Sequence, residues 1–256
     1  MNGEVTYSKT EHVAAITMAT HDRRNVLSAE LRDDLREALA LAQGDPDVRA
    51  VVLTAAGENF CVDGSPDESP DHPAAEESDL FGLRGVEVTD ALIEFDKPVV
   101  AAVNGTAAGC GCDIALCCDI RVAADSARIG PNQIRRGLVA GASIYFLPRV
   151  VRFGRACEMI FTGDLLDASE AEAIGLFDHV VPGAQLPAAA QELAAGIAKG
   201  PPIAMRLTKR AIYRGLALNS DAAKEYTVLS RSLGMHVTQE SREGFNSFNE
   251  RRAPNF

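Results

Sequence analysis

The sequence predicts an α/β fold with a helical C-terminal extension, on three observations. Short apolar runs rich in β-branched residues alternate with amphipathic segments as far as about residue 185. Such alternation is typical of strands joined by crossover helices. Beyond that point only helical periodicity continues, and neither a repeat nor a linker divides the chain. We therefore expect one α/β core over residues 1–190 and a helical region over residues 191–256.

The first elements carry clear start and stop signals. Residues 4–19 predict a β-hairpin, because two alternating runs flank a polar turn near residues 9–11. An amphipathic helix follows, with Ser28 as its cap and Gly44 as its stop. Its apolar face comprises Leu31, Leu35, Ala38, Leu39 and Ala42. The run VRAVVLTAA (48–56) is almost entirely apolar, as in a strand that is covered on both faces.

The middle of the chain alternates in the same way after an acidic, proline-broken stretch at residues 66–79. That stretch predicts an exposed loop, either a solvated connection or a lid over a pocket. The strand PVVAAV then leads through glycines into the helix AGCGCDIALC, and a loop bounded by Gly130 and Gly137 comes later. We expect further helices at about 85–95, 142–151, 154–161 and 168–174, and three more beyond residue 185.

Composition and charge restrict the class of protein. Hydrophobic residues make up 46% and charged residues 24% of the chain, as in ordinary globular proteins. The net charge of -11 disfavours a nucleic-acid partner, because nucleic-acid-binding surfaces are usually basic. No apolar run approaches the roughly 20 residues of a membrane helix. The polar N-terminus lacks the apolar stretch of a signal peptide, so we expect a cytoplasmic protein without a membrane partner.

Six cysteines raise the question of disulfides or a metal site. Four of them crowd into GCGCDIALCCD, which is too close for a disulfide framework and lacks the paired C-x-x-C spacing of zinc sites. We therefore expect these thiols to pack as small side chains near a tight backbone, with no metal bound.

Two glycine-containing turns are the candidate functional segments. GENFCVDGS (57–65) follows the strand VVLTAA, and NGTAAGCGCD (104–113) follows PVVAAV. A strand that runs into a helix through small residues leaves backbone N–H groups pointing outward at the positive end of the helix. Two such turns side by side can direct two donors at one oxygen. Glycine turns alone are common, however, and GCGCDI lacks the third glycine of a dinucleotide-binding fingerprint.

The order of several blocks along the chain is more specific than either turn. The blocks resemble those of the enoyl-CoA hydratase/isomerase (crotonase) superfamily, in the same order, and the resemblance spans essentially the whole chain. They are RNVLSAEL (24–31), VRAVVLTAAGENFCVDG (48–64), DKPVVAAVNGTAAGCGCDIALCCDIRVAADSARIG (96–130), FTGDLLDASEAEAIGLFDHVV (161–181) and SREGFNSFNERRAPNF (241–256).

The resemblance implies a crotonase-like spiral of ββα units, with C-terminal helices that assemble trimers, often paired into hexamers. It implies an acyl-CoA substrate whose thioester carbonyl is held by two backbone N–H groups, with coenzyme A as part of the substrate and no separate cofactor. Carried over to this sequence, the donors fall on Gly64 and Cys110, with Ser65 as an alternative to Gly64 if the glycine has shifted by one place.

Four further residues are expected to bind substrate by the same resemblance. Arg24 matches a position that is often basic and could meet the phosphates of coenzyme A, or it is an ordinary surface arginine. Val62 and Gly109 belong to the two donor turns. Gln133, in GPNQIRRG, falls where the related hydratases have their second catalytic carboxylate.

The sequence departs from the family pattern in the first turn and in the later loop that contains Gln133. The first turn usually reads F-[SC]-A-G-x-D, but here Asp63 replaces the glycine and Ser65 the aspartate. The first catalytic carboxylate maps onto Asp113, whereas Gln133 carries an amide that neither accepts nor gives a proton at neutral pH. We therefore expect proton transfer through a thioester enolate, with Asp113 as acid/base, and isomerase or lyase chemistry rather than efficient standard hydration.

Several alternatives stay open. Asp113 is otherwise a carboxylate stabilised by the start of its helix, and Asp63, Asp67 or His72 could then supply the acid/base. Tyr145 is expected in the core, with a phenolic donor as the alternative. The protein is otherwise a non-catalytic or weakly active acyl-CoA binder that lacks the second carboxylate. An RNA-binding relative is the weakest alternative, given the net charge of -11.

Overall fold

The computed structural model describes residues 4–21, 23–63, 86–237 and 239–256. The expected acidic loop at 66–79, the donor Gly64 and the alternatives Ser65, Asp67 and His72 lie outside these residues. Within these described residues the chain forms strands, helices and the candidate site.

The strands form two sheets. A six-stranded sheet has the order β1-β2-β3-β5-β7-β10, with β1 and β2 antiparallel and the other neighbours parallel. Its strands are β1 (Val5–Thr10), β2 (Val13–Met18), β3 (Ala50–Ala55), β5 (Val99–Val103), β7 (Ile120–Ala124) and β10 (His179–Val181). A four-stranded sheet has the order β4-β6-β8-β9. Its strands are β4 (Asn59–Cys61), β6 (Thr106–Ala108), β8 (Arg128–Gly130) and β9 (Leu166–Asp167).

Helices follow the strand pairs and then continue alone. They are α1 (Ala29–Gly44), α2 (Val86–Glu94), α3 (Cys110–Cys117), α4 (Ser143–Val150), α5 (Phe153–Thr162), α6 (Ala168–Ala173), α7 (Leu186–Ala198), α8 (Pro202–Ala217), α9 (Ser220–Val237) and α10 (Gln239–Glu250). Short 3-10 helices span Asn132–Arg136 and Gly183–Gln185. Among the described residues, no helix is both long and apolar enough to cross a membrane.

The chain alternates between the two sheets, which accounts for the expected spiral of repeated units. Strands β3, β5 and β7 of the larger sheet are each followed along the chain by a strand of the smaller one, β4, β6 and β8. This succession confirms the expected crotonase-type α/β fold. It also refines one prediction, because both glycine turns contain a short strand: β4 pairs in parallel with β6, with Asn59 opposite Thr106.

The local signals identified most elements. The Ser28 side chain accepts a hydrogen bond from the Leu31 N–H at 3.0 Å, as expected of a helix cap. The apolar face of α1 is buried. The prediction that Tyr145 lies in the core is wrong. The residue is 37% exposed, and the Arg149 guanidinium stacks 3.6 Å from the centre of its ring. A tyrosine can exchange burial for such a cation–π contact because its ring carries both an apolar face and a polar hydroxyl.

A buried polar cluster attaches α8 to the core. The Lys209 ammonium, 6% exposed, donates to the Lys97 carbonyl at 2.8 Å and to Asp119 Oδ2 at 2.7 Å. Arg206 donates to the buried Asp96 carboxylate at 2.8 Å. Buried charges persist only when they are paired and hydrogen-bonded, so these contacts fix the position of the helix on the sheet.

Candidate active site

The two glycine turns lie against each other because two glycines permit it. A Cβ atom at Gly105 would lie 1.9 Å from the Glu58 carbonyl oxygen, and one at Gly111 would lie 1.8 Å from that of Cys61. Both contacts are with backbone, which cannot move aside as a flexible side chain can. The close approach of the turns, which the sequence predicted, therefore depends on the absence of these two side chains.

Helix α3 begins at this contact and presents its first N–H group there. Gly109 is its N-cap, with φ of 59° and no side-chain capping bond. The Cys110 N–H, the expected second donor, donates to Asp63 Oδ1. A helix N-terminus carries partial positive charge and unsatisfied N–H groups. In the structure a carboxylate oxygen therefore occupies this N–H group, and its role as an oxyanion donor stays a prediction.

Asp63 is held at this position by a second partner. Its Oδ2 accepts a hydrogen bond from the Arg136 guanidinium, at the end of the 3-10 helix. The Asp63 side chain is only 7% exposed, whereas that of Arg136 is 41% exposed. A Cβ atom on Gly109 would overlap Asp63 Oδ2 at 1.6 Å. The side chain that replaces the family's glycine therefore fills the space in front of the Cys110 N–H.

Asp113 lies within the first turn of α3 and is buried, with 4% of its surface exposed. Its Oδ1 accepts hydrogen bonds from the Ser143 N–H at 2.7 Å and from the Ser143 hydroxyl. Its Oδ2 accepts one from Gln133 Nε2 at 3.0 Å. The Gly141 backbone donates a further one. An ionised carboxylate has about four acceptor positions, so these donors nearly saturate it.

Burial nevertheless dominates the acidity of Asp113. Desolvation raises the pKa of the Asp113 carboxyl to about 6, the nearby Asp63 carboxylate adds to the increase, and the donors of Ser143 and Gly141 oppose it. The helix N-terminus alone would lower the pKa of this carboxyl group, so burial outweighs that effect. A carboxyl group with a pKa near neutrality suits proton transfer.

Gln133 lies in the 3-10 helix and faces Asp113 with its amide nitrogen. The side chain is 4% exposed. Its Oε1 has no hydrogen-bond partner among the described residues. A buried acceptor without a donor is costly, by about 1–3 kcal/mol. The structure therefore brings Gln133 and Asp113 together, as the sequence predicted, but through the nitrogen of the amide.

Ser143 is the site residue that sequence reasoning missed. It is fully buried at the start of α4 and contributes two donors to Asp113. The space is shared with Gly141, where a Cβ atom would lie 2.7 Å from Asp113 Oδ2. A small residue followed closely by a serine in AGAS was the available signal, yet it has no fixed spacing from Asp113 that a sequence would reveal.

The remaining expected site residues are only partly placed. Val62 continues β4 and pairs with Val26, and its carbonyl accepts from the Leu27 N–H at 3.0 Å. The Arg24 segment therefore runs beside the first turn, and the Arg24 side chain is exposed. The structure brings these segments together without showing what Arg24 or Val62 binds, so their roles stay predictions, as does that of Gly109.

The thiols around the site are packed, as expected. Cys61, Cys112, Cys117 and Cys118 are buried, and burial raises the pKa of each thiol. Neutral thiols are poor nucleophiles and poor metal ligands. By the residues described, no group of three or more His, Cys, Asp or Glu side chains could hold a metal ion.

Comparison with known proteins identifies the family. Residues 8–256 match the family model described as enoyl-CoA hydratase/isomerase. The chain is 35% identical to (E)-benzylidenesuccinyl-CoA hydratase of Thauera aromatica over 98% of both chains. It is 32% identical to crotonyl-CoA hydratase of Syntrophomonas wolfei over 97% of this chain and 95% of that one.

Solved structures agree. The enoyl-CoA hydratase of Bacillus anthracis superposes with a TM-score of 0.89 at 32% identity, over 98% of each chain. The protein belongs to the enoyl-CoA hydratase/isomerase family of acyl-CoA enzymes, with the crotonase fold.

Proposed function

We propose that this enzyme forms a thioester enolate from an acyl-CoA substrate and moves the proton with a single carboxylate, Asp113. The reaction is a double-bond shift or a lyase step rather than efficient standard hydration. The observation that supports this most is a buried carboxyl group, with a pKa raised to about 6, within one turn of the Cys110 N–H.

The first part of the proposal is enolate stabilisation. Negative charge develops on the thioester oxygen as the neighbouring carbon loses its proton. Once the Asp63 carboxylate has moved off the Cys110 N–H, this group at the positive end of α3, with a second donor expected from Gly64, would hold that oxygen. Losing one such donor typically costs about 10²–10³ in turnover. Arg24, Val62, Gly109 and Gln133 complete the expected binding site.

The second part concerns the number of acid/base groups. A double-bond shift removes a proton from one carbon and returns it to another, so one carboxylate can serve both steps. Hydration also needs a group to orient and activate water while another transfers the proton. Gln133 is an amide that cannot exchange a proton at neutral pH. The relatives named above are named as hydratases. We propose a different reaction for this protein because residue 133 is a glutamine, whereas the resemblance places a catalytic carboxylate at this position in the hydratases.

A second candidate function is supported by Asp63. With its carboxylate on the Cys110 N–H, the protein resembles a closed acyl-CoA binder of weak activity. Asp63→Ala distinguishes the two candidates. The enzyme proposal predicts that a CoA thioester still binds and that turnover is kept or raised, because the donor becomes free. A variant that binds more tightly but turns over nothing supports the binder.

Product mass tests the reaction class directly. The enzyme is incubated with 3-enoyl-CoA, crotonyl-CoA and branched or carboxylated acyl-CoA thioesters, and the masses of the products are measured by mass spectrometry. The proposal predicts either conversion of 3-enoyl-CoA to the conjugated 2-enoyl isomer, which has the same mass and is followed by its thioester absorbance, or products that have lost a fragment. Rapid gain of the mass of water from crotonyl-CoA contradicts it.

Assembly belongs to the same proposal. The C-terminal helices α8 to α10 expose large apolar side chains, including Phe245 at 66% and Phe248 at 83% exposure. Burial of such a surface would support the homotrimer or hexamer that the family resemblance implies. We propose a cytoplasmic enzyme that uses no cofactor beyond the coenzyme A of its substrate. Sedimentation of the purified chain checks the assembly.

A further inference from the structure

The contact between Gln133 and Asp113 differs from a simple loss of a carboxylate. Both side chains are 4% exposed, and the amide donates from Nε2 to Asp113 Oδ2 at 3.0 Å. The amide oxygen on the other side of the same group has no partner among the residues described. Among the described residues, one half of the amide is therefore hydrogen-bonded, and the other half is buried without a partner.

The fixed donors leave Gln133 as the adjustable one. Two of the other donors to Asp113 are backbone N–H groups, those of Ser143 and Gly141. The third, the Ser143 hydroxyl, shares Oδ1 with the Ser143 N–H. When Asp113 takes a proton on Oδ2, that oxygen changes from an acceptor to a donor. An amide nitrogen in front of it would then face a hydroxyl hydrogen, which is unfavourable.

We propose that Gln133 is a positioning residue that serves both protonation states of Asp113 by turning its amide over. While Asp113 is ionised, Nε2 donates to Oδ2. Once Oδ2 carries the proton from substrate, the amide rotates by half a turn and Oε1 accepts that O–H. A carboxylate at residue 133 could not perform the first role while ionised.

The step balances in the proposed double-bond shift. The carbon next to the thioester carbonyl gives its proton to Asp113 Oδ2, and the C–H electron pair becomes the enolate. Asp113 then gives its proton, or a solvent proton that has exchanged with it, to the far carbon of the extended enolate, and Asp113 is ionised again. Gln133 gives and takes no proton, so its role is to stabilise the two states of Asp113 in turn. This inference rests on the proposed function.

Other charged groups near Asp113 must be considered in reading a pH profile. Asp63 faces it from the end of β4 and raises its pKa, and Asp63 itself pairs with Arg136. The thiols of α3, including those of Cys110 and Cys112, are kept neutral by burial. From the packed helices, Asp90 of α2 acts on the Cys117 thiol, and Tyr145 and Arg149 of α4 stack on each other.

The experiment follows exchange of the acidic proton of a CoA thioester with D₂O against pH, by mass spectrometry. Gln133→Met keeps length and removes both amide atoms. The exchange rate is expected to rise with pH along an acidic limb and then to reach a plateau. Loss of the donor shifts the acidic limb of this pH–rate profile to higher pH, because the ionised form of Asp113 loses a hydrogen bond. Loss of the acceptor lowers the plateau by about 10- to 100-fold, since a buried hydroxyl is left unsatisfied.

Two variants separate this role from a structural one. Ser143→Ala removes one donor to Asp113 but leaves the amide, so the acidic limb of the pH–rate profile moves to higher pH, and the plateau loss in Gln133→Met should exceed any plateau loss in Ser143→Ala. Gln133→Asn keeps the amide on a stem that is shorter by one methylene, and we expect the same plateau loss as in Gln133→Met. If Gln133→Met does not fold, Gln133→Asn carries the test, with the melting temperature measured on each preparation.

The outcomes are distinct. A plateau in Gln133→Met and Gln133→Asn equal to that of the wild type overturns the amide switch, while Asp113→Asn still abolishes exchange. If Asp113→Asn keeps more than about a tenth of the exchange rate, the proposed function itself is wrong and the switch fails with it. A limb shift with an unchanged plateau in both Gln133 variants assigns the residue a donor role only, which also contradicts the switch.

Discussion

At the scale of single residues, Asp113 shows how burial and hydrogen bonds oppose each other. Four donors favour its ionised form, yet desolvation is the largest influence and raises its pKa to about 6. A base must be ionised to take a proton. We therefore predict that kcat/KM rises by about tenfold per pH unit below pH 6 and levels off above about pH 7.

The sign of the stability change follows from the same shift. The pKa of Asp113 in the folded protein lies above the ordinary value of 3.8, so folded Asp113 binds a proton more readily than the unfolded chain does. Its contribution to the free energy of unfolding is therefore greatest below about pH 4 and is lost as pH rises to about 6. A rate profile with its acidic limb near pH 4 would contradict the raised pKa of Asp113.

At the scale of elements, the site depends on the contact between the start of α3 and β4. We predict that Gly111→Ala weakens both folding and turnover. Its Cβ would lie 1.8 Å from the Cys61 carbonyl oxygen, and the two turns must separate to relieve that contact. Such overpacking typically costs about 1–3 kcal/mol. Urea unfolding and turnover are measured on one preparation.

Gly244→Ala is the matched control for that prediction. It makes the same substitution in α10, where a Cβ atom would meet nothing within 4 Å. Alanine in a helix interior should stabilise or leave the protein unchanged. Equal effects of the two variants on the free energy of unfolding would show that the turn contact is not tight.

At the scale of the whole molecule, the buried Lys209 joins the helical region to the core. We predict that Lys209→Met lowers the free energy of unfolding by about 3 kcal/mol, because Asp119 loses its ammonium partner. The value lies at the lower end for a buried pair, since the Asp119 side chain is 20% exposed. Lys224→Met removes a salt bridge between groups that are 76% and 87% exposed, and should change nothing measurable in urea unfolding.

Whether a feature of the fold or the site could be predicted from the sequence depends on how far apart its residues lie along the chain. The Ser28 cap, the apolar strands and the glycine turns are local signals, and the family resemblance assigned Asp113 and Gln133 to one expected site. The capture of the Cys110 N–H by Asp63 was not predictable, since it requires the distance between two turns 47 residues apart. The contribution of Ser143 was hidden for the same reason, as it reaches Asp113 across 30 residues.

The central claim is that Asp113 removes the proton next to the thioester carbonyl and so forms the enolate. Exchange of that proton with solvent tests the claim most directly. The measurement is the rate at which a bound CoA thioester exchanges its acidic proton in D₂O, in wild type and in Asp113→Asn. Asparagine keeps the size of the side chain, and the Gln133 amide can turn to accept from it. We predict retained binding by calorimetry and a loss of exchange of about 10²–10⁴-fold. Exchange in Asp113→Asn above about a tenth of the wild-type rate, with binding intact, would contradict the account.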